Sequence, residues 1–464
     1  MRKHSLIISS LLAVWIVLAC KDSAASVERP SAVSASELPA EDSGPALLRQ
    51  PYLQSVGQTS AIVAFRTGES CTPLVRYGQG TNVSQTATAN EAGWRHAVQL
   101  TDLTPGQTYS YVVEACGSVT GVRQFRTATP ATATSLTFTA MGDFGTGDET
   151  QQGVLSRLAQ PGNAGELLLT LGDNAYSKGT EQEFQDRMFT PMAAVLRQVP
   201  LFPSLGNHEY GTDQGQPYLD NFYLPANNSE HSERYYSFDW GPVHFVALDS
   251  SCAIGRASPD RCTLEAQKRW VEQDLAASQR PWKVVFFHHP SWSSGKHGSE
   301  LTMRNEFGPL FEQHGVDLVL TGHDHNYERT QPMWGGDVAP AGTRGITYVV
   351  VGSGGAKLRR FPEEAPSWTA YRNNTDTGYL EVAVNGGTLT AKFYNPNGEV
   401  KDSFTLTKTL PASAGRLEAS PAPALETPPG PVDDPAHPPA WLHFEKPLPP
   451  ASPESMEDDD EPSP

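Results

Sequence analysis

Leu167–Ser177 reads LLLTLGDNAYS. An unbroken apolar run stops at Gly172-Asp173, and Tyr176 follows three residues later. A short continuous apolar run bounded by turn residues is the mark of a strand buried on both faces. The same pattern recurs in LTFTAMGD (Leu136–Asp143), VHFVALD (Val243–Asp249), KVVFFHH (Lys283–His289), VDLVLTGH (Val316–His323) and ITYVVVG (Ile346–Gly352). Helical patterns lie between these runs, as in TLEAQKRWVEQDLAAS (Thr263–Ser278) and ELTMRNEFGPLFEQH (Glu300–His314). Alternation of buried strands with helices predicts an α/β domain. GYLEVAV and TLTAKFY extend it to Thr409, so the domain is expected over residues 136–409.

Upstream, residues 47–129 carry short β-rich runs such as SAIVAFRT, PLVRYG, HAVQL, YSYVVEA and VRQFRT, spaced by turn residues. That spacing predicts an all-β sandwich. LTDLTPGQTYSYVVEA (Leu100–Ala115) resembles the turn and penultimate-strand region of fibronectin type III domains. The N-terminus, MRKHSLIISSLLAVWIVLAC, has a basic start, an apolar run from Leu6 to Leu18 and a Val17-Leu18-Ala19-Cys20 ending. It predicts a lipoprotein-type signal peptide over residues 1–20, with Cys20 lipidated and the protein exported and anchored to a bacterial envelope; cleavage without lipidation would give a secreted protein. Residues 21–46, rich in Ser, Ala and Pro, read as a flexible tether.

Four further cysteines suit an exported, disulfide-bonded chain, and the domain assignment pairs Cys71 with Cys116 and Cys252 with Cys262. The formal net charge of −18 is uneven: residues 411–464 hold eleven acidic and two basic residues and so contribute −9. That stretch, with fifteen prolines, reads as a disordered tail from residue 410 onward. The body carries no basic patch, which excludes a dedicated nucleic-acid partner.

Polar residues cluster where the apolar runs end: Asp143, Asp173, Tyr176, Asn207, His288, His323 and His325. Strand carboxyl ends are where open α/β sheets bind ligands. Carboxylates, imidazoles and an amide, without thiolates, suit Zn²⁺, Mn²⁺ or iron. Seven donors are too many for one tetrahedral ion, and two ions sharing a carboxylate are a standard device for cleaving phosphate esters.

In this order GDFG, GDNAY, GNHE, VVFFHH and GHDHNYER resemble the metal-binding blocks of the calcineurin-like metallophosphoesterases, and among them the purple acid phosphatases. The likeness spans Leu136 to Thr409, and the sandwich resembles the N-terminal domain of the larger members. It implies two β-sheets flanked by helices. Most metallophosphoesterases open with D-x-H, whereas Asp143 is followed by Phe144 and Gly145; the purple subfamily fills the missing position with the tyrosine of G-D-x-x-Y, here Tyr176. The resemblance implies a first metal on Asp143, Asp173, Tyr176 and His325, and a second on Asp173, Asn207, His288 and His323. Fe³⁺ suits the phenolate; Zn²⁺, Mn²⁺ or Fe²⁺ would take the second place. Attack by metal-bound hydroxide on a small-molecule phosphate monoester would follow. His208 and His297 resemble the histidines that contact the phosphate and protonate the leaving group, with Asn207 also at the substrate. Plant members often carry a second histidine where this chain has Gly298. His289 reads as a packing neighbour, and Trp292 and Tyr327 as aromatics that either border the pocket or pack. The competing readings are a phosphodiesterase or nucleotidase on the same site, and a surface adhesion protein with an inactive phosphatase-like domain.

Overall fold

The computed structural model describes residues 41–410 other than Asp260, together with Leu448 and Ala451. The signal peptide with Cys20, the tether up to residue 40 and the tail apart from those two residues lie outside the described residues. The described end of the expected tether is already paired. Ser43 exchanges backbone hydrogen bonds with Val119 at 2.8 and 2.9 Å, and Asp42 accepts from the Gly121 N–H at 2.9 Å. The reason is an edge: Ser43 satisfies backbone groups that the short strand Ser118–Val119 would otherwise leave open. The tail also touches the body. Ala451 donates its N–H to the Thr146 carbonyl at 2.9 Å and packs with Tyr176 and Ala356, and the Leu448 N–H bonds to Asp186 at 2.9 Å.

The N-terminal β domain is a sandwich of two antiparallel sheets. One joins Arg49–Gln54, Ala61–Cys71 and Gly93–Leu100; the other is built around Leu74–Gln79 and Thr108–Ala115. Val63, Phe65 and Val98 from the first and Val75, Tyr77 and Val113 from the second are buried in one core. The Cys71–Cys116 and Cys252–Cys262 disulfides are both formed.

The second domain holds two further sheets packed face to face. The first has the order Leu201–Ser204, Leu168–Leu171, Ser135–Met141, Tyr379–Asn385, Thr388–Tyr394, Val400–Thr407. The second has the order Tyr236–Trp240, Val243–Ala247, Trp282–Phe286, Leu318–Thr321, Thr347–Val351, Tyr327–Thr330, Thr369–Asn373. In each, the apolar strands named from the sequence run parallel, and antiparallel strands flank them. Period-two alternation explains why those strands are apolar throughout. Phe245, Phe286, Leu320 and Val349 enter the core between the sheets, while Val246, Val285, Val319 and Tyr348 face a second core under Leu264–Ala277 and Gly308–Gln313. The expected helix in Glu300–His314 is divided: Met303–Phe307 is a wider π turn, and Gly308–Gln313 restarts as an α-helix with Pro309 in its first turn. Proline has no N–H and its ring crowds the preceding turn, so it fits a helix start and not a helix middle.

The sandwich is fastened to the second domain by a buried ionic cluster. Arg49 and Arg66 both reach Glu181, at 2.8 and 2.5 Å, and both donate to Asn221. A second ionic group stands apart from the strand ends of the site: His244 bonds to Asp239 through Nδ1 and to Asp274 through Nε2, each at 2.8 Å, while Arg280 pairs with Asp239. Burial alone would lower the His244 pKa, but the two carboxylates raise it to about 9.

Glu181→Ala leaves two buried guanidinium groups without their carboxylate and should cost about 3–5 kcal/mol in denaturant unfolding; a loss under about 1 kcal/mol would show that the cluster does not fasten the domains. His244 has a higher pKa folded than unfolded, so its stabilisation is complete below about pH 6.5 and is lost as pH rises through about 9. The stability gap between the parent chain and His244→Asn should narrow across that window, as followed by unfolding at several pH values.

Candidate metal centre

The strand ends that carry the motif residues meet at one place. Asp143 follows Ser135–Met141, Asp173 follows Leu168–Leu171, Asn207 follows Leu201–Ser204, His288 follows Trp282–Phe286, and His323 and His325 follow Leu318–Thr321. Asp143, Asp173 and His323 each take a positive φ, 57°, 50° and 70°. Such backbone costs a non-glycine residue about 1–3 kcal/mol and persists where surrounding structure enforces it. Here it turns the chain sharply at the end of each strand.

Glycines permit the close approach. A Cβ on Gly206 would lie 2.1 Å from Asp173 Oδ1, and one on Gly322 would lie 2.4 Å from Asp143 Oδ2. The glycines of GNHE and TGHDH are therefore space for neighbouring carboxylates. Glu209, quoted in the GNHE block but given no role from sequence, is the group that joins two motif loops. Its carboxylate accepts the N–H groups of Gly206 at 2.7 Å, Asp173 at 3.0 Å, Asn174 at 2.8 Å and Ala175 at 3.2 Å.

Tyr176 is fully buried, and its hydroxyl lies 3.3 Å from Asp143 Oδ1, 3.2 Å from Asp173 Oδ2 and 3.1 Å from His325 Nε2. Four residues expected to share one ion thus point their donor atoms at a common centre. On the other side of Asp173, His288 Nε2 stands 3.2 Å from Asp173 Oδ2 and 3.0 Å from Asn207 Oδ1. The donor atoms of Asp143, Asp173 and His288 all lie within 4.8 Å of one another. His323 reaches this cluster through its ring, whose centre lies 5.0 Å from that of His288 and 4.3 Å from that of His297.

His288 and His325 are both held through Nδ1. His288 Nδ1 is 2.8 Å from the Leu171 carbonyl and His325 Nδ1 is 3.2 Å from the Lys357 carbonyl. A carbonyl only accepts, so each Nδ1 carries the proton and a neutral ring turns its Nε2 lone pair inward. Those lone pairs face oxygen lone pairs, an arrangement that a cation between them relieves. Without a cation the conflict is carried by protons. Burial raises the Asp143 carboxyl to about 7 despite His288, while for Asp173 burial is outweighed by His288 and His208 and the pKa falls. Burial would lower His288, but Asp173 and Asp143 raise it to about 9. Burial, then Asp173 and Asp143, push the Tyr176 phenol well above its usual value. Ionising that phenol in this setting calls for a strongly charged cation. The donor set therefore fits a pair of hard to borderline ions, with Asp173 in both halves.

Of the remaining expected residues, His208 lies against Tyr176 with ring centres 4.5 Å apart, and its N–H donates to Asp173 Oδ1 at 3.1 Å. Its Nδ1 bonds to the Ser177 carbonyl at 2.5 Å. The His297 N–H donates to Asp324 Oδ1 at 2.9 Å. His289 is buried and bonds to Ser250 through Nδ1 at 2.8 Å, a packing neighbour as expected. Trp292 and Tyr327 are core residues: Arg304 lies 3.5 Å over the Trp292 ring, and Tyr327 stacks on Phe393 with its hydroxyl on Asp402. Besides Glu209, sequence reasoning missed Arg359, which donates to His297 Nε2. A lone arginine in a loop carries no local signal of that contact.

Comparison with known proteins gives the family. Three family models match consecutive parts of the chain: the purple acid phosphatase N-terminal domain over residues 48–127, the calcineurin-like phosphoesterases over 136–327, and the iron/zinc purple acid phosphatase-like protein C over 345–403. The chain is 27% identical over 404 residues to acid phosphatase type 7 of Danio rerio, covering 76% of this chain and 89% of that protein. It is 27% identical over 373 residues to purple acid phosphatase 18 of Arabidopsis thaliana, covering 74% and 80%. The purple acid phosphatase from yellow lupin (Lupinus luteus) seeds shares the fold with a TM-score of 0.67 at 19% identity, covering 80% of this chain and 77% of the lupin chain. The three family models, matched in order along the chain, place it in the purple acid phosphatase family of the calcineurin-like phosphoesterases, which are metal-dependent phosphoric ester hydrolases.

Proposed function

We propose that the protein is an exported dinuclear-metal acid phosphatase that hydrolyses small-molecule phosphate monoesters. The observation that carries this reading is the Tyr176 hydroxyl, 3.1–3.3 Å from atoms of Asp143, Asp173 and His325 in a chain whose GDFG block lacks the histidine of D-x-H. On this reading Asp143, Asp173, Tyr176 and His325 hold Fe³⁺, and Asp173, Asn207, His288 and His323 hold Zn²⁺, Mn²⁺ or Fe²⁺. When bound, the pair supplies the Lewis acidity that activates water and withdraws charge from the phosphoryl group.

The chain's own residues divide the remaining work. His208 donates Nδ1–H to Ser177 and keeps Nε2 on the side of Asp173 Oδ2, 3.8 Å away. When it carries a proton, that nitrogen is placed to bind a phosphate oxygen and to give the proton to the leaving group. His297 has its Nε2 occupied by Arg359 and serves to bind phosphate. Asn207 offers its amide to the second ion and to the substrate. Asp173 shares its two oxygens between Tyr176 and His288 on one side and the His208 N–H on the other, which fixes the spacing of the two halves.

Export, with anchoring through a lipidated Cys20, is supported by the N-terminal sequence and the two disulfides. Among the described residues no helix is long and apolar enough to cross a membrane.

The test is a side-by-side assay of a phosphomonoester and a phosphodiester by the protein loaded with iron and a divalent metal. Monoester hydrolysis should dominate, be fastest below neutral pH, vanish on chelation and return with metal. Faster diester turnover would make the protein a phosphodiesterase, and a metal-filled protein that cleaves neither ester would favour an adhesive role with an inactive centre.

A further inference from the structure

Two residues of the C-terminal segment, Leu448 and Ala451, are seated on the half of the site that carries Tyr176. Pro447–Ala451 reads PLPPA. Proline has no N–H, so the backbone of this stretch has two donors, those of Leu448 and Ala451. Both reach the body. The Leu448 N–H bonds to Asp186 Oδ2 at 2.9 Å, and the Ala451 N–H bonds to the Thr146 carbonyl at 2.9 Å. Leu448 is half-buried, and Ala451 is buried against Tyr176 and Ala356.

Every element they touch supports the tyrosine or its neighbour Asp143. Thr146 lies on the loop that carries Asp143 away from strand Ser135–Met141. Asp186 sits in the π turn Phe184–Phe189 beside Arg187, which donates to the Tyr176 carbonyl. Ala356 donates its N–H to the Asp143 carbonyl at 2.7 Å. The segment therefore spans from the Asp143 loop to the turn that holds Tyr176, with Ala451 against the tyrosine between them.

Proline fixes φ, so a stretch rich in it loses little freedom on docking and a short contact can hold it. The hold is slight beside that of its surroundings. It consists of two hydrogen bonds and one small apolar contact, whereas Asp143 and Asp173 follow strands inside a six-stranded sheet. Local opening starts with the element that has the fewest buried contacts and hydrogen bonds. Tyr176 is fully buried, so solvent reaches it only when a neighbour lifts, and Ala451 is the neighbour held least.

Resting on the proposed assignment of Tyr176 as a ligand, we propose that Leu448 and Ala451 form a strap that shuts Tyr176 from solvent and sets the rate at which the first metal exchanges.

The test uses the full chain, with EDTA as the probe of iron release. Ala451→Pro removes the N–H bonded to Thr146, and Ala451→Asp sets a carboxylate against Tyr176 and Ala356. In the metal-free parent, hydrogen exchange should be slowed at the Leu448 and Ala451 amides, and in both variants the Leu448 amide should lose that protection. From the iron-loaded protein, Ala451→Pro should release iron about 3- to 10-fold faster than the parent, the change in opening expected for one lost hydrogen bond, and Ala451→Asp at least as fast. The unfolding midpoint of the body should stay that of the parent, which separates a lifted strap from a weakened fold. Parent amides that exchange as in an unfolded chain, or iron release unchanged in both variants, would overturn the proposal. A parent that holds iron without a violet band fails in a different way, because it overturns the ligand assignment on which the strap's role in exchange depends.

Discussion

The Tyr176 hydroxyl stands within 3.3 Å of oxygens of both Asp143 and Asp173 in the buried interior, with the Nε2 atoms of His325 and His288 beside them. Such a group of acceptors repels itself and is expensive to desolvate. It stays assembled because the donors come from the ends of four different buried strands, Asp173 and Tyr176 sharing one, and moving a strand would displace a sheet. The two sheets supply those ends from both sides, so their face-to-face packing through pairs such as Phe138 with Phe245 is what gathers the site.

Support radiates from the cluster. Glu209 binds four backbone N–H groups from the Asp173 and Asn207 loops, which makes the two loops one unit. Beyond Tyr176, Glu183 accepts the N–H groups of Ser177, Lys178 and Thr180, and Arg187 donates to the Tyr176 carbonyl. The same short helical stretch presents Glu181 to Arg49 and Arg66 of the sandwich. The N-terminal domain is thus connected through a few charged contacts to the loop that positions the tyrosine. Buried ion pairs add little net stability over apolar packing, but they tolerate few alternative arrangements, which suits a domain that must dock in one orientation.

Much of this was legible in the sequence because it depends on local pattern. Apolar runs ending in Asp or His identify parallel strands and bring the candidate ligands to one place, and the absence of histidine after Asp143 draws attention to Tyr176. The supports were not legible, for a physical reason. Glu209 acts on backbone groups more than 30 residues away, and Arg359 acts on His297 at a separation of 62 residues. Neither separation leaves a periodic or compositional trace, since loop–loop contacts are fixed by sheet order. The helix Glu149–Leu158 also went unrecognised: its start is set by the Asp148 cap, but its apolar face is confined to Val154, Leu155 and Leu158. Ser43, Leu448 and Ala451 show a related limit, because composition describes a segment's average and not the single residues that pair with a surface.

The proposed centre requires Tyr176 to be a metal ligand and not a core phenol. The most direct measurement is the visible absorption spectrum, with metal content, of the parent protein and Tyr176→Phe. A ferric ion held by the phenolate predicts a violet band with two metals per chain in the parent, and in the variant a lost band and weakened iron retention. A variant that keeps both colour and iron would contradict the account.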